Sequence, residues 1–357
     1  MIGERLAPPQ HDTLDGVLEP AENPRLVGHA AVTSMLAQAY RTGKLPHALI
    51  LAGPPGIGKA TLAFHLAHHL LKYPKAADAP AELTAPDPAS SLFRQIASGA
   101  HPSMLHLTRP FDEKNKRFKT VVAVDEIRKV GQFLSLTSHD GGHRVVIVDP
   151  ADDMNTNAAN ALLKNLEEPP ARTIFILIVH APGSLLPTIR SRCQMVRLGP
   201  LGEQDLLSVL EATEAPPPDD PAARAALAER AGGSARAAIL LTQYGGLEIA
   251  QALDALADAR RPDVAGAHRL ADAVAGRDQA IQFDIFNRRV LDLLADNASQ
   301  AALAGDLSRA KSLSDAWHEA ANAISETETY NLDKKQHALG MIDRLNSAMR
   351  LGFSERM

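Results

Sequence analysis

Ala48-Leu-Ile-Leu-Ala-Gly-Pro-Pro-Gly-Ile-Gly-Lys-Ala-Thr61 is the stretch that decides the fold of this 357-residue chain. Its first five residues are apolar and predict a buried β-strand, and the residues after Lys59 are apolar at helical spacing. The sequence therefore predicts a strand, a glycine-rich loop and a helix, in that order. A phosphate-binding loop requires this order, because backbone N–H groups and the helix N-terminus attract anions and a lysine reaches the outer phosphates.

The loop matches the pattern G-x-x-x-x-G-K but departs from it at the next position. Ala60 stands where serine or threonine would offer a hydroxyl to Mg2+, and Thr61 lies about 100° further around the helix and does not replace it. We therefore expect nucleotide-binding ancestry with weak or absent hydrolysis. A plain glycine-rich turn is the alternative, which Lys59 in this frame disfavours. The residues expected to contact nucleotide here are Gly53, Pro54, Gly56, Ile57, Gly58, Lys59, Ala60 and Thr61.

Other apolar runs predict further strands at 104–107, 144–149, 173–179 and 195–198, separated by helical patterns. Asp149 ends one of these strands, as does an aspartate that holds Mg2+ directly or through water in phosphate-loop proteins. Pro150 follows it, where a glutamate usually polarises the attacking water. Because the carboxyl ends of parallel strands meet at one edge, Gly53, Asp149 and His180 are expected to converge there.

The composition excludes several classes of protein. Aromatic residues make up 4% of the chain, too few for stacking platforms along single-stranded nucleic acid, and the net charge of -5 gives no overall basic field. The single cysteine, Cys193, excludes an internal disulfide or a cysteine zinc cluster, so we expect no zinc and no dedicated metal site. No signal-peptide pattern or run of about 18 apolar residues is present, which predicts a cytoplasmic protein without a membrane partner.

Two polar segments interrupt the first half of the chain. Residues 73–90 are rich in alanine, proline and aspartate and are expected to form an exposed insertion. Residues 109–119 are basic, and a solvated hairpin or loop is favoured there over a dedicated DNA contact.

The predicted fold class is α/β followed by all-α. Strands alternating with helices indicate a parallel sheet covered on both faces, and only helical patterns follow it. The predicted parts are a loose N-terminal leader at 1–22, a nucleotide-binding domain at 23–200, a small helical lid at 201–248 and a C-terminal helical domain at 249–357.

Four motifs in this order resemble the AAA+ clamp-loader proteins of bacterial DNA polymerase III. They are Gly-Ile-Gly-Lys-Ala-Thr-Leu-Ala (56–63), Val-Val-Ile-Val-Asp-Pro (145–150), Ala-Asn-Ala-Leu-Leu-Lys-Asn-Leu-Glu-Glu-Pro-Pro (159–170) and Ser-Arg-Cys (191–193). The resemblance extends over about residues 23–245. It implies an AAA+ P-loop NTPase module, a lid and a C-terminal oligomerisation collar, and makes ATP or ADP with Mg2+ possible ligands. Related subunits carry a four-cysteine zinc module after the first helix, which this chain lacks.

The resemblance also implies roles for individual residues. Arg192 of the Ser-Arg-Cys motif would project towards the nucleotide of a neighbouring subunit as an arginine finger in trans, its alternative being a solvated arginine before a strand. Arg236 occupies the second sensor position. His180 occupies the first, where related ATPases carry threonine or asparagine, and a satisfied strand-end histidine is an equally good interpretation. Cys193 is interpreted as packing.

The function implied is that of a stator in a hetero-oligomer within the DNA polymerase III holoenzyme. Its partners would be the clamp-loader ATPase subunits (gamma/tau) and delta, with the sliding clamp and primed DNA reached through the complex. Its own ATPase activity is expected to be weak or absent. The alternative is a catalytically active AAA+ ATPase, the motor subunit of the clamp loader, against which Ala60 and Pro150 argue.

Overall fold

The computed structural model describes residues 5–135, 142–213, 217–259 and 261–350. The chain forms two compact units that divide between Ala238 and Ile239. This division falls inside the predicted lid, whose own limits stay a prediction. The extreme ends of the predicted leader and collar, 1–4 and 351–357, lie outside the described residues.

The first unit is an α/β structure. Its elements are α1 (Ala30–Arg41), β1 (Ala48–Ala52), α2 (Lys59–Lys72), α3 (Ser91–Ala97), β2 (Met104–Leu107), β3 (Phe111–Asp112), β4 (Arg117–Phe118), α4 (Val124–Ser135), β5 (Arg144–Val148), α5 (Thr156–Glu167), β6 (Thr173–Val179), α6 (Pro187–Arg190), β7 (Gln194–Arg197), α7 (Glu203–Leu210) and α8 (Pro221–Ala231). Helix α9 (Ala235–Gln243) contains the division between the units.

The main sheet has five parallel strands in the order β2-β5-β6-β1-β7. Neighbouring residues of β1 face opposite cores: Leu49 packs with α1 and α2, whereas Ile50 packs with α4 and α5. Both are fully buried, as expected when helices cover both faces of a sheet. The predicted fold class is therefore confirmed for this unit.

The N-terminal segment, defined here as residues 5–22, is folded, and the expectation of a loose leader is wrong for it. The Arg5 guanidinium donates 3.0 Å hydrogen bonds to the carbonyl oxygens of Leu14 and Val17. The Glu22 carboxylate accepts from the backbone N–H groups of Leu6 and Ala7 at 2.8 and 3.1 Å. Sequence patterns do not reveal this fold because side chains bonded to backbone, and not apolar periodicity, hold the segment together.

The two polar segments take different forms. Strands β3 and β4 form a hairpin in which Phe111 pairs with Phe118, so the 109–119 segment is a hairpin. Residues 73–90 are not wholly exposed as expected, because Ala79 and Pro86 are buried. Ala79 packs against the core beneath α2.

The second unit is helical. Its helices are α10 (Gly246–Asp258), α11 (Val264–Val274), α12 (Ala280–Leu303), α13 (Leu307–Tyr330) and α14 (Lys334–Arg350). His337 joins three of them, because its ring nitrogens lie 2.9 Å from Asn287 Oδ1 and 2.8 Å from Thr327 Oγ1. The predicted change from α/β to all-α structure is confirmed. Across the described ranges, no helix is both long enough and apolar enough to cross a membrane.

Candidate phosphate-loop site and exposed arginine

The loop between β1 and α2 requires glycine at two positions. A Cβ on Gly53 would lie 2.4 Å from the carbonyl oxygen of Leu198, so no side chain fits there. Gly56 has a φ of +75°, and a Cβ on it would lie 2.4 Å from Ser234 Oγ and 2.5 Å from Arg236 Cβ. The loop is therefore packed closely against two later segments of the chain.

Lys59, the first residue of α2, is turned towards its own loop. Its ammonium group donates hydrogen bonds to the carbonyl oxygens of Gly53 (2.7 Å) and Pro54 (2.6 Å), and the residue is only 3% exposed. Burial lowers the pKa of Lys59 to about 8, against the opposing effect of Asp149 and Asp152. The charge that would meet a phosphate is thus held by backbone dipoles.

The other loop residues have mixed positions. The Ile57 side chain is fully buried, and His29 Nε2 lies 2.7 Å from the Ile57 carbonyl oxygen. Gly58 stands before the first turn of α2 with a φ of +97°. Ala60 and Thr61 are both in the helix, so the Thr61 hydroxyl is rotated by about 100° from the position of residue 60. The metal-side hydroxyl remains missing.

Asp149 follows β5 at the carboxyl edge of the sheet, the edge from which the loop also starts. Burial raises the pKa of Asp149 to about 7, and the nearby Asp12 carboxylate raises it further, whereas Lys59 opposes the shift. Near neutral pH its carboxyl is therefore only partly ionised, and Pro150 beside it supplies no general base.

His180, which follows β6, is held at the same edge by its backbone. Asp152 Oδ2 accepts hydrogen bonds of 3.0 Å from the backbone N–H groups of His180 and Ala181. Partial desolvation of the ring, with the Lys59 charge nearby, lowers the pKa of His180. The imidazole is consequently neutral at pH 7.

The backbone of Arg236 contacts the loop, and its side chain contacts a carboxylate. Its N–H donates to the Gly56 carbonyl oxygen at 3.3 Å, and Ser234 Oγ donates to the Pro55 carbonyl oxygen at 2.9 Å. The guanidinium donates to the Asp12 carbonyl oxygen, and its Nη1 atom lies 3.5 Å from Asp12 Oδ2. The side chain proposed as a sensor is thus paired within the chain.

The structure brings the predicted residues of the carboxyl edge together: the loop, Asp149, His180 and Arg236. Sequence analysis did not identify Asp12 or Asp152 as residues of this site. Asp12 carried no signal, since it lies in a segment without periodicity, 224 positions from Arg236. Asp152 did carry a signal in the sequence, because it is an acidic residue within a few positions of the end of a strand.

These residues do not fit a magnesium-bound nucleotide in their present arrangement. Lys59 is engaged by loop carbonyls, Arg236 is engaged by Asp12, and Asp149 is only partly ionised. Ala60 offers no hydroxyl beside them. In the part of the chain that the structure describes, no three His, Cys, Asp or Glu side chains are grouped to hold a metal ion.

Arg192 lies at the opposite edge of the sheet. It precedes β7, and the parallel pairing of Gln194 with Leu49 aligns that end of β7 with the start of β1. The five residues of β1 then separate this edge from the loop by about 16 Å. Arg192 is therefore remote from its own loop.

The Arg192 side chain is exposed and lightly tethered. Its Nη2 lies 2.6 Å from Glu167 Oε1 at the end of α5, and its Nη1 donates to the Thr188 carbonyl oxygen at 2.9 Å. The side chains of Arg192 and Glu167 are 35% and 47% exposed. The adjacent Cys193 is half-buried against the α4–α5 core, and burial raises the pKa of its thiol to about 11. This supports its interpretation as a packing residue.

Residues 28–202 match the family model described as DNA polymerase III, delta subunit. DNA polymerase III subunit delta' of Pseudomonas aeruginosa is 45% identical over 148 residues, which cover 41% of each chain. The protein of the same name from Escherichia coli is 35% identical over 170 residues, 47% of each chain. The matches to these curated relatives thus span less than half of their length.

Among solved structures, a DNA polymerase III gamma subunit-related protein of Thermotoga maritima covers 90% of this chain and all of its own, with 17% identity and a TM-score of 0.44. A variant of RuvB from Thermotoga maritima covers 80% of this chain and 86% of its own, with 18% identity and a TM-score of 0.41. The phosphate loop, Asp149 and Arg192 all fall within residues 28–202, and this part of the chain resembles the family described as DNA polymerase III, delta subunit.

Proposed function

We propose that this chain is the delta-prime-type stator of a DNA polymerase III clamp loader. In this role it assembles with ATPase subunits and supplies Arg192 in trans to the nucleotide bound on one of them. The complex then loads the sliding clamp on primed DNA. The observation that carries the proposal is the position of Arg192, exposed at the sheet edge opposite its own phosphate loop.

Arginine suits this task chemically. Its guanidinium is planar and permanently charged, so it can donate two parallel hydrogen bonds to the oxygens of a transferring phosphoryl group. The single ion pair with Glu167 is partly exposed, and such pairs contribute at most about 1 kcal/mol. Arg192 can therefore leave Glu167 for a stronger anion at little cost.

The chain's own loop supports a non-hydrolysing role. Pro150 stands where a general base is needed, and Ala60 removes the hydroxyl that helps to hold Mg2+. Weak binding of ATP or ADP is compatible with this proposal, but turnover is not part of it. No observation favours the alternative of a motor subunit.

The helical unit is the proposed collar that joins the ATPase subunits (gamma/tau) and delta in a cytoplasmic hetero-oligomer. Its core is built from long helices with a buried Asn287–His337–Thr327 contact, so it offers a rigid support. The curated relatives are named as subunits of DNA polymerase III, which supports this partnership.

The test is ATP hydrolysis by the motor subunits reconstituted with this chain. We expect Arg192→Ala to lower the rate by at least about tenfold with assembly intact, because arginine fingers contribute large factors to phosphoryl transfer. Arg190→Ala, which removes the neighbouring exposed arginine of α6, is the matched control and should leave the rate unchanged. Equal rates for wild type and Arg192→Ala, at equal assembly, would leave the chain a scaffold only.

A further inference from the structure

The N-terminal segment has no role in the function proposed above, yet part of it lies at the phosphate-loop site. Its Asp12 provides two acceptors to Arg236: the carbonyl oxygen and, at 3.5 Å from Nη1, a carboxylate oxygen. The Arg236 backbone is bonded to Gly56 of the loop. Asp12 therefore lies beside the loop, on the arginine whose backbone contacts the loop.

The electrostatic surroundings of Asp12 lead to the same place. Its charge acts on Asp149 and on His180, which close the other side of the carboxyl edge. The preceding residue, His11, feels Asp153, Arg109 and Arg236. Residues 11 and 12 thus enter the space bounded by the ends of β5 and β6 and by the start of α9.

The segment is anchored on both sides of Asp12. Ala7 and Leu14 are buried, and the Glu22 carboxylate binds the backbone before Asp12. Beyond Glu22, His65 of α2 hydrogen-bonds to the Asn23 carbonyl oxygen at 2.9 Å. Asp12 is consequently presented by a folded structure and not by a free end.

We propose that the N-terminal segment is a built-in occupant of the phosphate-loop site, in which the Asp12 carboxylate takes the place of a nucleotide's phosphates on Arg236. Docking of the segment and binding of a nucleoside diphosphate or triphosphate then exclude each other. With the segment docked, the loop holds no nucleotide. The inference concerns this chain's own loop and does not depend on the role proposed for Arg192.

The experiment is an equilibrium titration of the full chain with a fluorescent ADP analogue and Mg2+. Asp12→Asn removes the negative charge but keeps the size of the side chain, so we expect its Kd to be at least about tenfold lower than that of wild type, about 1.4 kcal/mol in binding free energy. Asp78→Asn is the matched control. Asp78 is exposed and lies past the far end of α2, about 20 Å from the loop. The Kd of the Asp78→Asn variant should therefore equal that of wild type.

A double variant tests whether the tighter nucleotide binding of Asp12→Asn occurs at the phosphate loop. Adding Lys59→Ala to Asp12→Asn should abolish the tighter binding, because Lys59 is the loop lysine expected to reach the phosphates. The proposal is overturned by equal Kd values for wild type and Asp12→Asn, by a failure of Asp12→Asn to bind, or by a gain that survives Lys59→Ala.

Hydrogen exchange on the wild-type chain supplies a test that needs no substitution. Since linkage is reciprocal, a nucleotide at saturating concentration should release the segment and accelerate exchange of the amides of Leu6 and Ala7, which Glu22 now holds. Unchanged exchange at saturation would overturn the proposal. None of these outcomes alters the expected effect of Arg192→Ala on partner ATPase subunits, so the two proposals fail separately.

Discussion

The two edges of the parallel sheet handle positive charge in opposite ways. At the carboxyl edge Lys59 is bonded to loop carbonyls and Arg236 to Asp12, so both cations are satisfied inside the chain. At the opposite edge, where the parallel strands begin and which we call the amino edge, Arg192 is exposed and shares one partly exposed ion pair with Glu167. This contrast is what we expect of the proposed stator, whose own phosphate site would be closed and whose arginine would act on a neighbour's nucleotide.

The largest expected effect tests the amino edge. Arg192→Lys keeps the charge but loses the planar fork, so we expect ATP hydrolysis by the assembled complex to fall at least about tenfold. The measurement is kcat at equal assembly, with Arg190→Lys as the matched substitution on α6. A lysine variant that retains the wild-type rate would mean that only charge matters at this edge, and would weaken the finger interpretation.

The next effect tests the carboxyl edge. Asp152→Ala removes the acceptor of two backbone N–H groups, those of His180 and Ala181, and should lower the free energy of unfolding by about 2 kcal/mol. Asp152→Asn retains one oxygen and should lose less. Denaturant titration measures both. Asp125→Ala, at an exposed carboxylate paired with Arg128, is the control and should stay within about 0.5 kcal/mol of wild type.

The last expected effect is a net difference between opposing contributions, and it distinguishes the two edges by their pH dependence. His68 and His69, near the end of α2 that returns to the amino edge, are buried, and desolvation lowers the pKa of each to about 4. Their unfolded forms bind protons near pH 6.5 and the folded forms only near pH 4, so their contribution to stability is lost as pH falls across this window. Asp149, with its pKa raised to about 7, acts in the opposite direction, because the folded state holds its proton more tightly.

His106 and His337 also have pKa values lowered to about 4, so four histidines outweigh one aspartate and the free energy of unfolding should decrease from pH 6.5 to pH 4. Asp149→Asn removes the opposing contribution and should make this decrease steeper. Urea titrations at several pH values measure it. A decrease that is unchanged or shallower in Asp149→Asn would contradict the burial of that carboxyl in its ionisable form.

The fold could be predicted from the sequence wherever burial leaves a local pattern. The strands around Ile50 and Phe175 are buried on both faces, so their residues are apolar without interruption. Lys59 and Asp149 could likewise be placed, because a strand end or a helix start fixes each of them within its own motif.

The pairing of charges could not be predicted in this way. Asp12 and Arg236 are in contact although 224 positions separate them in the sequence. Nothing in the sequence around either residue identifies the other. Glu167 and Arg192 both lie in motifs quoted from the sequence, yet their contact depends on how α5 and α6 pack at the amino edge. Long-range partners of this kind follow from tertiary packing, which a pattern along the chain does not record.

Cys193 gives the amino edge a practical property. It is the chain's single cysteine, and a thiol with a pKa of about 11 is almost entirely protonated at neutral pH. Maleimides and iodoacetamides react with thiolates, so they will modify an exposed cysteine introduced elsewhere far faster than Cys193. Fluorescent labels can therefore be attached at chosen positions of the native chain without first removing the cysteine beside Arg192.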